Sequence, residues 1–227
     1  MGLVSSMKID SKVLETYPGL ITGYAVVKGI KVERTIPGLE EMKRQIGEKL
    51  KAKYASVPLL EVPEIRAYRE FYRAQGADPS KRRPPAEYLL RRSLEGRFPT
   101  INTLVDIALL ATLEHWVIVG VYDFDKIKGE PIVTLASKIE TFETIDGKQI
   151  NPEIGEVVVR DSEKIIAGYT AGDARATMIT LETKSALIVF WNTPDISREQ
   201  VEAALQSVTK YVNQYCSGKV EASGVLG

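Results

Sequence analysis

Residues 101–127 read Ile101-Asn102-Thr103-Leu104-Val105-Asp106-Ile107-Ala108-Leu109-Leu110-Ala111-Thr112-Leu113-Glu114-His115-Trp116-Val117-Ile118-Val119-Gly120-Val121-Tyr122-Asp123-Phe124-Asp125-Lys126-Ile127, and here the chain changes its period. From 103 to 116 the residues are apolar almost all round, which predicts a helix buried on every side. After it the pattern turns to short β-branched and aromatic runs, predicting strands at 117–123, 131–136, 156–160, 164–169 and 185–192. Helices grouped before strands, without strict alternation, argue for an α+β fold over a doubly wound sheet.

Upstream, residues 7–30 read as mostly extended, with a buried strand over 20–27 bounded by Pro18-Gly19 and Gly29. A helix follows Pro37-Gly38, carrying Leu39, Met42, Ile46 and Leu50 at near-helical spacing and charged residues on its other face. A second helix starts at Pro63, ends before Gly76 and buries Ile65, Tyr68, Phe71 and Tyr72. Residues 76–85 form a loop, and Pro84-Pro85 lead into a helix with Leu89, Leu90 and Leu94 on one side that stops at Gly96. Downstream, Asp146-Gly147 signals a hairpin turn. The last helix opens on a Ser197/Gln200 capping box with an Ile196/Val201 staple. The expectation is one domain over residues 1–217, with an N-terminal strand and helix decoration, a C-terminal helix, and a frayed, Gly/Ser-rich tail at 218–227.

Thirty Lys plus Arg balance thirty Asp plus Glu in 227 residues, so the global charge carries no nucleic-acid signal. No apolar run approaches the roughly 20 residues of a membrane span, and residues 1–10 lack the apolar core of a secretory signal. Cys216 is the only cysteine and His115 the only histidine, which excludes an internal disulfide and argues against a Cys/His zinc site. A reducing cytoplasmic setting is the default expectation. With no Gly-rich phosphate loop of Walker or Rossmann form, no cofactor or metal is expected.

Several residues admit both a structural and a chemical role. With Thr103 as N-cap, Asp106 stands at N3, where a carboxylate meets the helix dipole and reaches the cap's N–H without any substrate. Asn102 is a cap or turn residue, or an amide that orients a substrate or a water. Asp123 and Asp125, beside Lys126, fit a turn and a short helix, and no calcium-loop spacing follows them. The sharpest electrostatic feature is Lys81, Arg82, Arg83, Arg91, Arg92 and Arg97. Against Glu87 and Glu95 they leave a local charge of +4 over residues 81–97. Arginine forks grip phosphates, so this loop and helix are the candidate RNA-binding surface, with a solvated face as the alternative.

The two blocks from Ile101-Asn102-Thr103-Leu104-Val105-Asp106 to Gly120-Val121-Tyr122-Asp123-Phe124-Asp125, and from Ile165-Ile166-Ala167-Gly168 through Thr183 to Val189, resemble the B3/B4 editing domain of the phenylalanyl-tRNA synthetase β chain. Residues 76–84 and 87–92 resemble freestanding members of that family, which lack a synthetase catalytic domain. The resemblance implies a layered β/β/α sandwich with a pocket between sheet and helices. There a water held by backbone and polar side chains hydrolyses the ester of a wrong amino acid on tRNA. It implies catalytic roles for Asn102, Asp106, Asp123, Ala167 and Gly168, and an aminoacylated tRNA as partner. A homo-oligomer or a synthetase partner stays open.

This chain also departs from the pattern. Gly120 replaces a family histidine, and Val189 falls near a family glutamate that reads a tyrosine hydroxyl, so tyrosine specificity does not carry over. Gly120 and Val189 are expected at the substrate, with Arg175 or Asp173 as the replacement polar group. The readings are therefore an editing hydrolase acting in trans, a tRNA- or amino-acid-binding module of the same fold without chemistry, and an unrelated small-molecule hydrolase.

Overall fold

Seven consecutive buried residues, Ser185–Trp191, mark the centre of the molecule. Leu187 to Trp191 offers no polar residue to turn outward, so both faces of this strand must be covered. The structure, a computed structural model, describes residues 6–227; the start of the segment read for a secretory signal, residues 1–5, lies outside them. In chain order the elements are β1 (Lys8–Ile9), α1 (Ser11–Thr16), β2 (Thr22–Lys28), α2 (Pro37–Tyr54), α3 (Pro63–Ala74), α4 (Pro85–Leu94) and α5 (Thr103–His115). There follow β3 (Ile118–Asp123), β4 (Ile132–Leu135), β5 (Phe142–Glu143), β6 (Gln149–Ile150), β7 (Val157–Arg160), β8 (Ile165–Gly168), β9 (Gly172–Asp173), β10 (Ser185–Trp191), α6 (Arg198–Cys216) and β11 (Lys219–Leu226).

The strands form an antiparallel sheet of order β11-β2-β10-β3, a second sheet of order β1-β4-β7-β8-β9, and the small β5–β6 hairpin. Alternation along β10 explains the layering. Phe190 points to the side where α6 packs: a Cβ on Gly23 of β2 would lie 2.9 Å from Val201 of α6 and 3.1 Å from Phe190. Trp191 points the other way and meets Tyr169, just after β8, edge to face at 5.6 Å. Sheet, sheet and helices thus stack in the expected β/β/α order, and the fold is α+β.

The turn from α5 into β3 is set by one buried phenol. Trp116 ends α5 in the left-handed region, at φ 58°. The Tyr68 hydroxyl of α3 donates to the Trp116 carbonyl at 2.9 Å, with the Trp191 carbonyl at 3.1 Å, and accepts the Ile118 N–H at 3.1 Å. At the other end of the chain, the Ser197/Gln200 capping box is formed as read from the sequence.

Three expectations are corrected. Residues 7–30 are interrupted by α1, whose N-cap Asp10 accepts the Lys12 N–H at 3.0 Å; a six-residue helix burying only Val13 is too short to show a period. The cap of α5 is Asn102, not Thr103, which moves Asp106 one place further into the helix. The tail at 218–227 is not frayed: Lys219–Leu226 pairs along β2, and Gly224 lies close over the Tyr24 ring, where a Cβ would stand 3.0 Å from its Cε1. Gly and Ser there serve a close approach between strands, not flexibility.

Candidate functional site

A buried carboxylate organises the second sheet. Glu156, immediately before β7 and fully buried, accepts the Thr170 and Ala171 N–H groups at 2.7 Å each and the Glu153 N–H at 3.0 Å. Three backbone donors thus satisfy the buried carboxyl oxygens. It holds the β8–β9 turn so close that a Cβ on Gly168 would sit 2.8 Å from Glu156 Oε1 and 2.7 Å from the Ala171 Cβ. Only glycine fits at that point.

The first sheet mirrors this arrangement. Gly120 and Tyr122 share one face of β3, and a Cβ on Gly120 would overlap the Tyr122 hydroxyl and come within 2.8 Å of its Cζ and 3.1 Å of Trp191 Nε1. The Tyr122 ring therefore fills the space that a side chain at position 120 would occupy. Its hydroxyl donates to Asp173 Oδ1 at 2.9 Å and accepts Trp191 Nε1–H at 3.3 Å.

Between these glycines lies a cavity of about 150 Å³, bounded by Gly120, Gly168, Gly172, Tyr169, Trp191 and Asp173 from the sheets and by Leu109 and Thr112 of α5. Tyr72 of α3 and Pro85 and Leu89 of α4 close the remaining side. Burial raises the Asp173 carboxyl above the ordinary aspartate range, with the Tyr122 hydrogen bond acting against it. The Tyr122 phenol is pushed well up by burial and then by the Asp173 charge. The wall is thus mainly apolar, with one half-buried acid.

Of the residues singled out in the sequence, Gly120, Gly168 and Asp173 come together in this wall. Val189 pairs opposite Gly120 on β10, fully buried, and Ala167 pairs opposite Asp173; neither lines the cavity. Arg175 is exposed and bonds Glu143 at 3.0 Å, so Asp173 and not Arg175 supplies the polar group of the wall. Asn102 Oδ1 caps α5 on the Val105 N–H at 3.0 Å. Asp106, wholly buried, binds Lys43 Nζ at 2.7 Å and the Ile101 N–H at 2.9 Å. Asp123 accepts the Asp125 N–H at 3.2 Å and the Thr183 hydroxyl at 2.8 Å, with Lys126 at 3.3 Å. None of these three reaches the cavity wall.

The basic surface divides as well. Lys81, Arg83 and Arg91 are exposed, with Arg83 3.8 Å from the buried Glu87. Arg92 lies over the Tyr88 ring at 5.6 Å and bonds the Arg97 carbonyl at 2.9 Å. Arg82 is half-buried, its Nη1 3.4 Å from Thr170 Oγ1 in the β8–β9 turn, which puts it beside the cavity. The sequence gives Tyr72 a place in a buried helical stripe and Tyr122 one in a strand, and assigns no site role to either, nor to Glu156 or Trp191.

A wider groove of about 480 Å³ separates α2 from α4. Its charged lining is balanced, and Lys43 there already holds Glu40, Thr100 and Asp106. Among the described residues no group of three or more His, Cys, Asp or Glu side chains could hold a metal ion, and no helix is long and apolar enough to cross a membrane.

Comparison with known proteins bears on this geometry. Over 96 residues the chain is 33% identical to the phenylalanine–tRNA ligase beta subunit of Bordetella pertussis, a match covering 40% of this chain and 12% of that one. Over 116 residues it is 31% identical to the corresponding subunit of Fusobacterium nucleatum, covering 50% of this chain and 14% of that one. The chain therefore spans less than a fifth of the length of these relatives. In three dimensions it resembles the crystal structure of an N-terminal fragment of the phenylalanyl-tRNA synthetase beta-subunit from Pyrococcus horikoshii, with a TM-score of 0.52 and 17% identity. That likeness covers 95% of this chain and 50% of the fragment. With the B3/4 domain family model matching residues 67–217, which include every residue of the cavity wall, this chain belongs to the B3/4 domain family.

Proposed function

We propose that the chain is an editing-type hydrolase that acts in trans on an aminoacyl-tRNA ester, with the cavity between the two sheets as its acyl site. The observation that supports this most directly is the pair Gly120 and Gly168. Neither can carry a side chain, because Tyr122 and the Glu156-bound turn occupy that space, and both line a cavity that also contains Asp173. Backbone groups approach a bound ester closely only where no Cβ intervenes.

The chemistry asks little of the protein. Water adds to the acyl carbon, the bond to the ribose oxygen breaks, and the water's proton passes to that oxygen, leaving an amino acid and a free tRNA 3′ hydroxyl. Holding water and an already activated ester in register supplies much of the acceleration. Arg82, beside the β8–β9 turn, and the exposed Lys81, Arg83 and Arg91 offer cations to the phosphates of an acceptor end, which supports the tRNA reading.

A second reading, a tRNA- or amino-acid-binding module without chemistry, is favoured by one observation: Asn102, Asp106 and Asp123 are all engaged in structural hydrogen bonds away from the cavity. A deacylation assay separates the two. Purified protein is mixed with a panel of correctly and incorrectly charged tRNAs, alongside the Asp173→Asn variant. Selective release above the uncatalysed rate, reduced in the variant, supports the hydrolase. Saturable, salt-sensitive binding without release from any member sinks it and leaves the binding module.

A further inference from the structure

Most polar side-chain atoms in the cavity wall already have partners. Thr112 Oγ1 donates to the Ala108 carbonyl at 2.9 Å and accepts the Val119 N–H at 3.0 Å. The Tyr169 hydroxyl donates to the Asn192 carbonyl at 2.7 Å, and Trp191 Nε1 is held by Tyr122. Two atoms remain. Asp173 uses Oδ1 for Tyr122, while its Oδ2 bonds no described residue. The Tyr72 hydroxyl also bonds no described residue, although Tyr72 is only 2% exposed and lines the cavity. The phenol and the carboxylate oxygen are thus open to the cavity and free to bind what enters it. Each calls for a ligand group of defined kind: an acceptor for the phenol and a cation for the carboxylate.

The rest of the wall is hydrocarbon, from Leu89, Leu109, Ile118 and the faces of Pro85 and Trp191. Its size is also limiting. An apolar cavity of about 150 Å³ holds one benzene, which is close to an alanyl or valyl group, whereas a tyrosyl group is roughly twice as large.

We propose that the cavity takes an α-aminoacyl group with a short hydrocarbon side chain, its ammonium on Asp173 and its carbonyl oxygen on the Tyr72 hydroxyl. An ammonium and a carbonyl on adjacent positions supply the cation and the acceptor together, and no unengaged side-chain group is left to receive a side-chain hydroxyl. The assignment rests on the aminoacyl reading of the site and goes beyond it in naming the anchoring residues and the side-chain class.

Calorimetric titration with amino-acid amides, which carry both groups and lack a labile ester, tests it without any tRNA. L-Valinamide is expected to bind at least about tenfold more tightly than L-tyrosinamide or 3-methylbutanamide, which lacks the ammonium. Asp173→Asn should bring L-valinamide down to the affinity of 3-methylbutanamide and leave the latter unchanged. Tyr72→Phe should weaken both by a similar factor, about fivefold. Melting curves establish that both near-isosteric variants are folded. Equal affinity for L-valinamide and L-tyrosinamide, indifference to the ammonium, or no binding of any amide overturns the assignment. Failure of the hydrolytic reading looks different: amide binding with this selectivity, but no release of amino acid from valyl-tRNA, removes the hydrolysis and keeps the ligand class.

Discussion

Tyr122 donates its phenolic proton to Asp173 at 2.9 Å while its ring lies over Gly120, two residues earlier on the same face of β3. One side chain thereby covers Gly120 and holds the only carboxylate of the cavity wall.

That carboxylate is held at a cost to the fold. Burial raises its folded pKa above the 3.8 of a free aspartate. The folded state then binds the proton more tightly, so stability falls as pH rises from the unfolded value through the folded pKa, and is flat above it. Asp173→Asn removes the burial of a charge, keeps an acceptor for Tyr122 and is expected to raise Tm at neutral pH. The gain should shrink as pH falls through the raised folded pKa towards 3.8 and be lost below that value. Thermal melts across pH check this; a variant less stable than the parent at pH 7 would contradict it.

Asp106 and Lys43 form a buried ion pair at 2.7 Å, joining α2 to the first turn of α5. Burial raises the Asp106 carboxyl, and the Lys43 hydrogen bond opposes that shift. Removing one partner of such a pair strands the other, which costs about 3–5 kcal/mol. Asp106→Ala is expected to lose stability on that scale in urea denaturation, with the folded fraction keeping its ligand affinity. A loss of affinity in folded protein would return Asp106 to the site.

Asn102→Ala removes only the cap on the Val105 N–H, for a loss of about 1 kcal/mol. Folded protein should deacylate or bind as the parent does. Turnover that collapses while the melt barely moves would show the amide acting on substrate.

Gly120→Ala forces a methyl group against the Tyr122 ring and should destabilise by about 1–3 kcal/mol through overpacking. Combining it with Tyr122→Ala should cost less than the sum of the two single changes, because the clash disappears with the ring. Additive losses in that double-mutant cycle would mean that the two positions do not compete for space.

Arg82→Ala should weaken tRNA binding and lower the slope of log K against log salt by about one, as expected for a lost phosphate contact. The same change at Arg175, which faces Glu143 on the surface, should leave that slope unaltered. Filter binding at several salt concentrations measures both.

Much of the architecture is written in local pattern. The all-round apolar run 103–116, the capping box at Ser197, the prolines opening α2, α3 and α4, and the β-branched runs of β3, β4, β7, β8 and β10 each read correctly, because helix and strand periods are properties of neighbouring residues. The basic loop was equally visible in the sequence. What sequence alone could not separate was the cap from the catalyst: Asn102, Asp106 and Asp123 carry site-like residue types, and only their partners Val105, Lys43 and Thr183 reveal a structural use. The strand at 219–226 was hidden for the same reason, since pairing with β2 depends on a segment about 200 residues away. The cavity itself is wholly tertiary. Tyr72, Gly120, Gly168, Asp173 and Trp191 come from one helix and four strands, and which polar atoms are left without partners is decided only once the two sheets have closed on one another.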